Sequence, residues 1–356
     1  MAKLTSPRVT VSFTELGISA ITRGDKGTVA VIVRDAAALD PFVLTQGTQT
    51  PTMLGKENQD YIKRTFLGYV TPPKKVIVYV MGTDGTISDA LDYMAAQVFD
   101  YIVAPADCTK EEAAEVASWV KSQRLNNGAK YKAVLPNHKA DNYAIVNFTG
   151  DGMTDGATVW TTAAYCSRIA GLLAGTPMKI SATYAPLPEL SDCARLTKEE
   201  SDEAVGAGEL ALRWDGRKVK LDRAVTSLVT TSQGMLDSFK KIKIVEIMDL
   251  IRTDITATAE DEYVGKYANS YDNKMLLVAA IRGYFMGLEQ SGLVQPGYMV
   301  DIDVDAQEQY LVSKGVNVED MTEQQLREAD TGSLVFLKAT CKILDAIEDI
   351  DINVEI

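Results

Sequence analysis

Within residues 101–135 stand Tyr101-Ile-Val-Ala104, then Thr109-Lys-Glu-Glu112, then Lys130-Tyr-Lys-Ala-Val-Leu135, and this succession decides the fold class. The two apolar runs read as strands. Thr109 and Glu112 form a capping box, because hydroxyl and carboxylate each satisfy the other's orphan amide, and it opens a helix through Lys121. Working outward, Val76–Val80 and Tyr143–Phe148 read as strands and Ser88–Gln97 as a helix. Strand–helix–strand–helix–strand implies right-handed crossovers and a mainly parallel sheet covered by helices. Upstream, Thr28–Val33 is a continuous β-branched strand following the turn Gly24-Asp25-Lys26-Gly27, and the Thr-, Gln-, Gly- and Pro-bearing stretch Thr45–Gln59 reads as an exposed loop.

Beyond Gly150–Gly156, whose three glycines suggest a domain boundary, the pattern becomes α+β. Val159–Ala174 is helical, Thr197-Lys-Glu-Glu200 caps a further helix, and Glu209–Leu221 is a hairpin turning at Asp215-Gly216. Ile244, Ile247, Met248, Ile251 and Ile255 recur at helical spacing, predicting one amphipathic helix from about 236 to 258. Asn273–Gln290 makes another, Val300–Asp305 reads as a strand with an acidic wet face, and Thr322-Glu-Gln-Gln325 caps a short helix. The expected division is an arm at 1–20, an α/β middle domain at 21–150, an α+β domain at 151–340 and a second arm at 341–356.

Composition narrows the function. The chain has 356 residues, 36 basic against 49 acidic side chains, and a net charge of −13, which argues against nucleic-acid binding through a basic face. The longest apolar run, Met275–Ile281, is far short of the ~20 residues of a membrane span. Met1–Arg8 has no apolar signal core, so synthesis in the cytoplasm is expected. Cys108, Cys166, Cys193 and Cys341 are widely spaced and read as buried free thiols.

Signals for catalysis are weak. His138 is the sole histidine, in a loop-like Leu-Pro-Asn-His-Lys setting, and no G-x-S-x-G surrounds a serine. Gly82–Thr86 lies between a strand and a helix, where phosphate could bind, but it lacks the phosphate-loop lysine and reads better as a turn with a helix cap. Asp301, Asp303 and Asp305 imitate the start of an EF-hand, yet Ala306 and Val312 stand where glycine and the bidentate glutamate belong. No catalytic residue, cofactor or metal ligand is assigned.

Two features remain. Val9, Val11 and Phe13 alternate with polar neighbours near one end, and Ile350, Ile352, Val354 and Ile356 alternate at the other. Such strands must join a sheet, either their own or a neighbouring subunit's. Residues 1–26 carry four bases and two acids (+2), and residues 345–356 carry five acids and no base (−5), signs that suit pairing of unlike arms. The second feature is Lys240, Lys241 and Lys243 at the start of the predicted long helix, where the macrodipole disfavours cations, as a contact for an acidic partner would explain.

Trp160–Gly171 (Trp-Thr-Thr-Ala-Ala-Tyr-Cys-Ser-Arg-Ile-Ala-Gly), Lys241–Asp254 (Lys-Ile-Lys-Ile-Val-Glu-Ile-Met-Asp-Leu-Ile-Arg-Thr-Asp), Tyr263-Val-Gly-Lys-Tyr-Ala-Asn269, the helix Met275–Leu288 and Ser291-Gly292 succeed one another in order. This series resembles the contractile tail sheath family of phages, R-type bacteriocins and related injection particles. The Arg23–Gly27 turn is similar to the start of shorter sheath proteins of Gram-positive prophages and diffocin-like particles. The resemblance implies a non-enzymatic structural subunit that forms a six-start helical homopolymer of hexameric layers around a tail tube protein. It implies contacts to baseplate and tail terminator proteins, with no nucleic acid bound directly, no membrane insertion, and assembly in the bacterial cytoplasm before release in a particle. It further implies that both terminal arms are lent to neighbouring subunits, that 21–150 is outer and 151–340 inner, and that Lys240, Lys241 and Lys243 face the tube. A nucleotide- or phosphate-binding α/β enzyme is the competing reading; a tube or baseplate protein fits the length and two-part organisation poorly.

Overall fold

A computed structural model describes residue 21, residues 26–37 and residues 39–355. Its centre is a run of β-branched and aliphatic residues that must be buried on both faces, the pattern that places a strand inside a parallel sheet. That strand is β1 (Thr28–Arg34), followed by β2 (Phe42–Thr45), β3 (Lys75–Met81), β4 (Tyr101–Val103), β5 (Lys132–Pro136) and β6 (Ile145–Phe148). After the short ribbon of β7 (Met153–Thr154) and β8 (Val159–Trp160), β9 (Glu209–Leu210) returns to the main sheet, whose order is β2-β3-β1-β4-β5-β6-β9. Every neighbouring pair is parallel except β2 with β3.

Helices cover both faces. Val29, Val31, Val33, Val76, Val78, Val103 and Val134 share a core with Tyr61 and Ile62 of α1 (Lys56–Thr65). On the opposite face, Ala30, Ile32, Ile77, Ile102 and Ala133 pack with Leu91 and Met94 of α2 (Ile87–Ala95) and Val116 and Val120 of α3 (Lys110–Asn126). The capping box of Thr109 and Glu112 is present. Tyr165, Ile169 and Leu172 of α4 (Thr162–Ala174) join the first face. There the close approach of α4 to α1 requires Gly171, because a Cβ at that position would fall 1.9 Å from the Thr65 carbonyl oxygen.

Gly150–Gly156 is therefore no boundary here: α4 covers the sheet and β9 extends it, both from beyond residue 156. Contacts divide the chain instead into Arg23–Thr253 with Ser291–Gln295 and Ile343–Ile356, and a smaller unit of Asp254–Gln290 and Pro296–Lys342. The larger unit also holds α5 (Lys198–Gly206), capped by Thr197 and Glu200, and the hairpin of β10 (Leu212–Trp214) and β11 (Val219–Leu221), with Leu212 opposite Leu221.

Three local expectations need correction. Residues 45–59 are not one loop, since α1 begins at Lys56; the Gly55 amide donates to Asp35 at 2.7 Å, a partner 20 residues away that local pattern cannot supply. The helix expected from about 236 is a 3-10 turn, Asp237–Lys240, an extended Lys241, and then α6 (Ile242–Thr258), which passes into a π-helical turn at Ala259–Tyr263. Within the smaller unit, α7 (Tyr271–Gln290) precedes β12 (Met299–Ile302), which stops immediately before Asp303. Asp303 is no strand residue: its carboxylate accepts from the Ala306 amide at 3.1 Å and caps α8 (Val304–Ser313), because a short acceptor before an amphipathic run satisfies the first free amides. Thr322 and Gln325 cap α9 (Glu323–Glu328), and β13 (Leu337–Thr340) closes an antiparallel pair with β12.

Candidate functional site

In a doubly wound sheet the ligand crevice lies where connections from adjacent parallel strands diverge to opposite sides, here between β1 and its neighbours. The chain has filled that place with its own charges. Arg34, at the end of β1, pairs with Asp107 at 2.8 Å and with Glu112. The nearby Gly82–Thr86 turn serves α2: Thr86 accepts from the Asp89 amide at 3.3 Å, and the Asp89 carboxylate accepts from Thr86 Oγ1 at 2.7 Å. An anion there would have to displace a carboxylate already on the helix N-terminus. His138 lies on a loop, and burial with the adjacent Lys121 charge pushes its pKa down. Asp301 pairs with Arg327 at 2.7 Å and Asp303 caps α8, and among the described residues no cluster of three or more His, Cys, Asp or Glu is arranged to hold a metal.

The arm and lysine residues are placed as follows. Val9, Val11, Phe13 and Ile356 lie outside the described residues. Ile350, Ile352 and Val354 are 74%, 74% and 73% exposed, and residues 346–355 pair with no strand among the described residues. The preceding residues are held. Ile343 bridges Val294, and the Leu344 amide donates to the Leu293 carbonyl at 2.9 Å. Glu348, its side chain only 5% exposed, accepts from Ser181 Oγ at 2.9 Å and Thr183 Oγ1 at 2.7 Å, with Lys241 Nζ at 3.3 Å and Arg223 at 3.9 Å. Arg223 also pairs with Asp349, and Lys241 with Asp345.

The three lysines therefore do not form one free basic face. Lys240 pairs with Asp237 at 2.9 Å and stays partly exposed. Lys241 is engaged by the acidic segment; burial opposes its charge, but the bond to Asp345 and the nearby Glu348 hold its pKa above the ordinary lysine value. Lys243 is 7% exposed and burial pushes its pKa down. Sequence spacing could not reveal the engagement of Lys241, because its partners, Asp345 and Glu348, lie about a hundred residues away.

Sequence reading also missed a buried ionic cluster beneath α6. Asp249 accepts from Arg124 at 2.6 and 3.0 Å and from Lys132 at 2.9 Å. Glu246 accepts the Tyr101 hydroxyl and pairs with Lys26 at 3.0 Å and Lys132 at 3.6 Å, while Asp100 pairs with Lys130 at 3.1 Å and accepts from the Gly27 amide at 2.8 Å. The available signal was charge inside apolar patterns: Lys132 in a strand, Glu246 and Asp249 along an isoleucine stripe. The four thiols are free, but only Cys166 and Cys193 are buried; Cys108 is half-buried and Cys341 exposed.

The sequence matches the phage tail sheath protein central domain over residues 81–227 and the phage tail sheath C-terminal domain over residues 237–356. It is 36% identical over 352 residues to the tail sheath protein of Clostridium phage phiCD119, covering 98% of each chain. The fold is similar to the sheath tail protein DSY3957 of Desulfitobacterium hafniense, with a TM-score of 0.70 and 16% identity over 83% of this chain and 94% of that one. It is also similar to a chain of the PVC sheath complex, an extracellular contractile injection system in its contracted state, with a TM-score of 0.69 and 11% identity over 100% and 98% of the two chains. With its phosphate turn and switch point closed by its own side chains, and with sheath-family matches over both parts of the chain, this protein belongs to the phage tail sheath family, as a structural subunit and not an enzyme.

Proposed function

We propose that copies of this chain polymerise as a six-start helical mesh of hexameric layers around a tail tube, assembled in the bacterial cytoplasm between a baseplate and a terminator, and that contraction drives the tube through a target envelope. The observation that carries this reading is the acidic segment after Glu348, whose aliphatic residues alternate, stand exposed and pair with no strand of the described chain. Leaving each such side chain in water forgoes roughly 1.5–3 kcal/mol, so a partner that supplies a sheet edge gains that free energy together with the backbone hydrogen bonds. A contact made with a different surface of the next copy does not close on itself and generates a helix. Arms that tie subunits together while their bodies repack let the polymer shorten without falling apart. The extended state is then a kinetic trap held by weak tube contacts, and the contracted state has the better body-to-body fit. The alternating sequence at Val9, Val11 and Phe13 supplies the second arm in this scheme. Of the three lysines, Lys240, held by the exposed Asp237 and not by the acidic segment, is the one assigned to a tube contact.

Deleting Asp349–Ile356 should leave a folded, soluble subunit that no longer forms striated polymers under negative-stain electron microscopy. Normal contractile sheaths from this truncation would refute strand donation.

A further inference from the structure

An arm transmits position only if its root is fixed, and the root is built from polar groups of one buried site. Glu348 receives two hydroxyl hydrogen bonds and two cations, from Ser181, Thr183, Lys241 and Arg223, which come from three separate segments of the larger unit. Thr183 is itself oriented, accepting from the Ala224 amide at 3.0 Å. On either side of Glu348, Asp345 and Asp349 pair with the same two cations, Lys241 and Arg223. Two residues past Glu348 the alternating run of exposed aliphatic residues begins at Ile350. A carboxylate that is nearly enclosed, multiply hydrogen-bonded and doubly ion-paired is costlier to dislodge than an exposed pair, because removal leaves both hydroxyls without their acceptor and both cations with only Asp345 and Asp349, which are more exposed.

We propose that Glu348 is the positioning residue of the arm: it clamps the chain at one point, fixes where residues 350–356 leave the body, and thereby sets the register they offer to a neighbour. Side chains along a strand alternate with a period of two, so a slip of one residue would turn Ile350, Ile352 and Val354 to the wrong face of any sheet they join. The clamp also recasts the basic residue pair at Arg223 and Lys241, which serve the arm's root. The clamp stands on contacts within one chain; only its consequence for register rests on the strand-donation reading above.

Hydrogen exchange on the full-length subunit tests the clamp without assembly. In Glu348→Ala, the Leu344 amide should exchange at least tenfold faster, with Glu348→Gln intermediate because its carbonyl still accepts from the hydroxyls, while the amides of Val29–Val33 stay protected as in the parent. Should Glu348→Ala lose protection throughout, the Arg223→Gln/Lys241→Gln pair is read in its place, with the same acceleration expected at Leu344. Unchanged Leu344 exchange in the folded variant overturns the clamp. For register, one alanine inserted between Asp349 and Ile350 should cut polymer yield at least tenfold and a second should restore it. Equal yields from the two insertions overturn the register claim. Polymers formed equally well without residues 350–356 would overturn donation itself, and the exchange result would stand apart from it.

Discussion

Replacing Asp249 by Asn removes one negative charge from a site largely closed to water, and the surrounding distances say what should follow. The described cluster sets Lys26, Arg124, Lys130 and Lys132 against Asp100, Glu246 and Asp249, four cations to three anions. Asp249→Asn leaves four against two, with Arg124 and Lys132 both deprived of the carboxylate they share. Lys132→Met instead leaves three one-to-one pairs intact, Lys26 with Glu246 at 3.0 Å, Arg124 with Asp249 at 2.6 Å and Lys130 with Asp100 at 3.1 Å. Breaking a buried pair from one side costs about 3–5 kcal/mol, whereas removing charge so that the rest balances is often close to neutral. Lys132→Met also forfeits the cation–π contact of the ammonium with Tyr101, 5.1 Å from the ring centroid, so its expected cost is about 1–2 kcal/mol. In urea unfolding followed by tyrosine and tryptophan fluorescence, with a slope of about 3 kcal/mol/M, the Asp249→Asn midpoint should fall by about 1–1.7 M. The Lys132→Met midpoint should fall by less than half of that. An Asp249→Asn midpoint within 0.3 M (roughly 1 kcal/mol) of the parent, or a larger loss in Lys132→Met, would refute the charge-balance reasoning. The pH dependence carries the same signature. Burial pushes the Asp249 pKa up, but Lys132 and Arg124 outweigh it and hold the carboxyl below its ordinary value. Its contribution is therefore complete above about pH 4 and lost as pH falls through the depressed folded value. Lys132, raised by Asp249 and Glu246 against the effect of burial, contributes fully below about pH 10.4 and loses its share as pH rises through the raised value. Asp249→Asn should accordingly flatten the acid limb of the stability profile.

Two further outcomes follow from single positions. Gly171→Ala places a methyl 1.9 Å from the Thr65 carbonyl, so despite the helix propensity of alanine it should cost about 3 kcal/mol, the upper end for overpacking; a thermal midpoint unchanged from the parent would show that α1 can move aside. Lys240→Glu should reduce polymerisation on added tail tubes while leaving tube-free polymerisation near the parent level, and equal loss in both assays would dismiss a tube contact at this residue.

The sequence by itself determined the parallel sheet, because β-branched runs such as Thr28–Val33 and capping pairs such as Thr109 with Glu112 are local signals whose physics acts within a few residues. It also marked the alternating segment at Ile350, Ile352 and Val354, since period-two patterning requires no knowledge of the partner. It could not show that α1 begins at Lys56, where the Gly55 amide is satisfied by Asp35, nor that Asp303 turns away from its alternating neighbours to cap α8. The use of the charges was decided by tertiary structure alone. Lys241 and Arg223 meet Glu348, and Lys132 meets Asp249, across separations of more than a hundred residues. Local spacing says that a residue is charged; only the fold brings up the opposite charge and excludes water, and those two steps decide whether a lysine is a free surface contact, a buried counter-ion or the partner of a distant acidic segment.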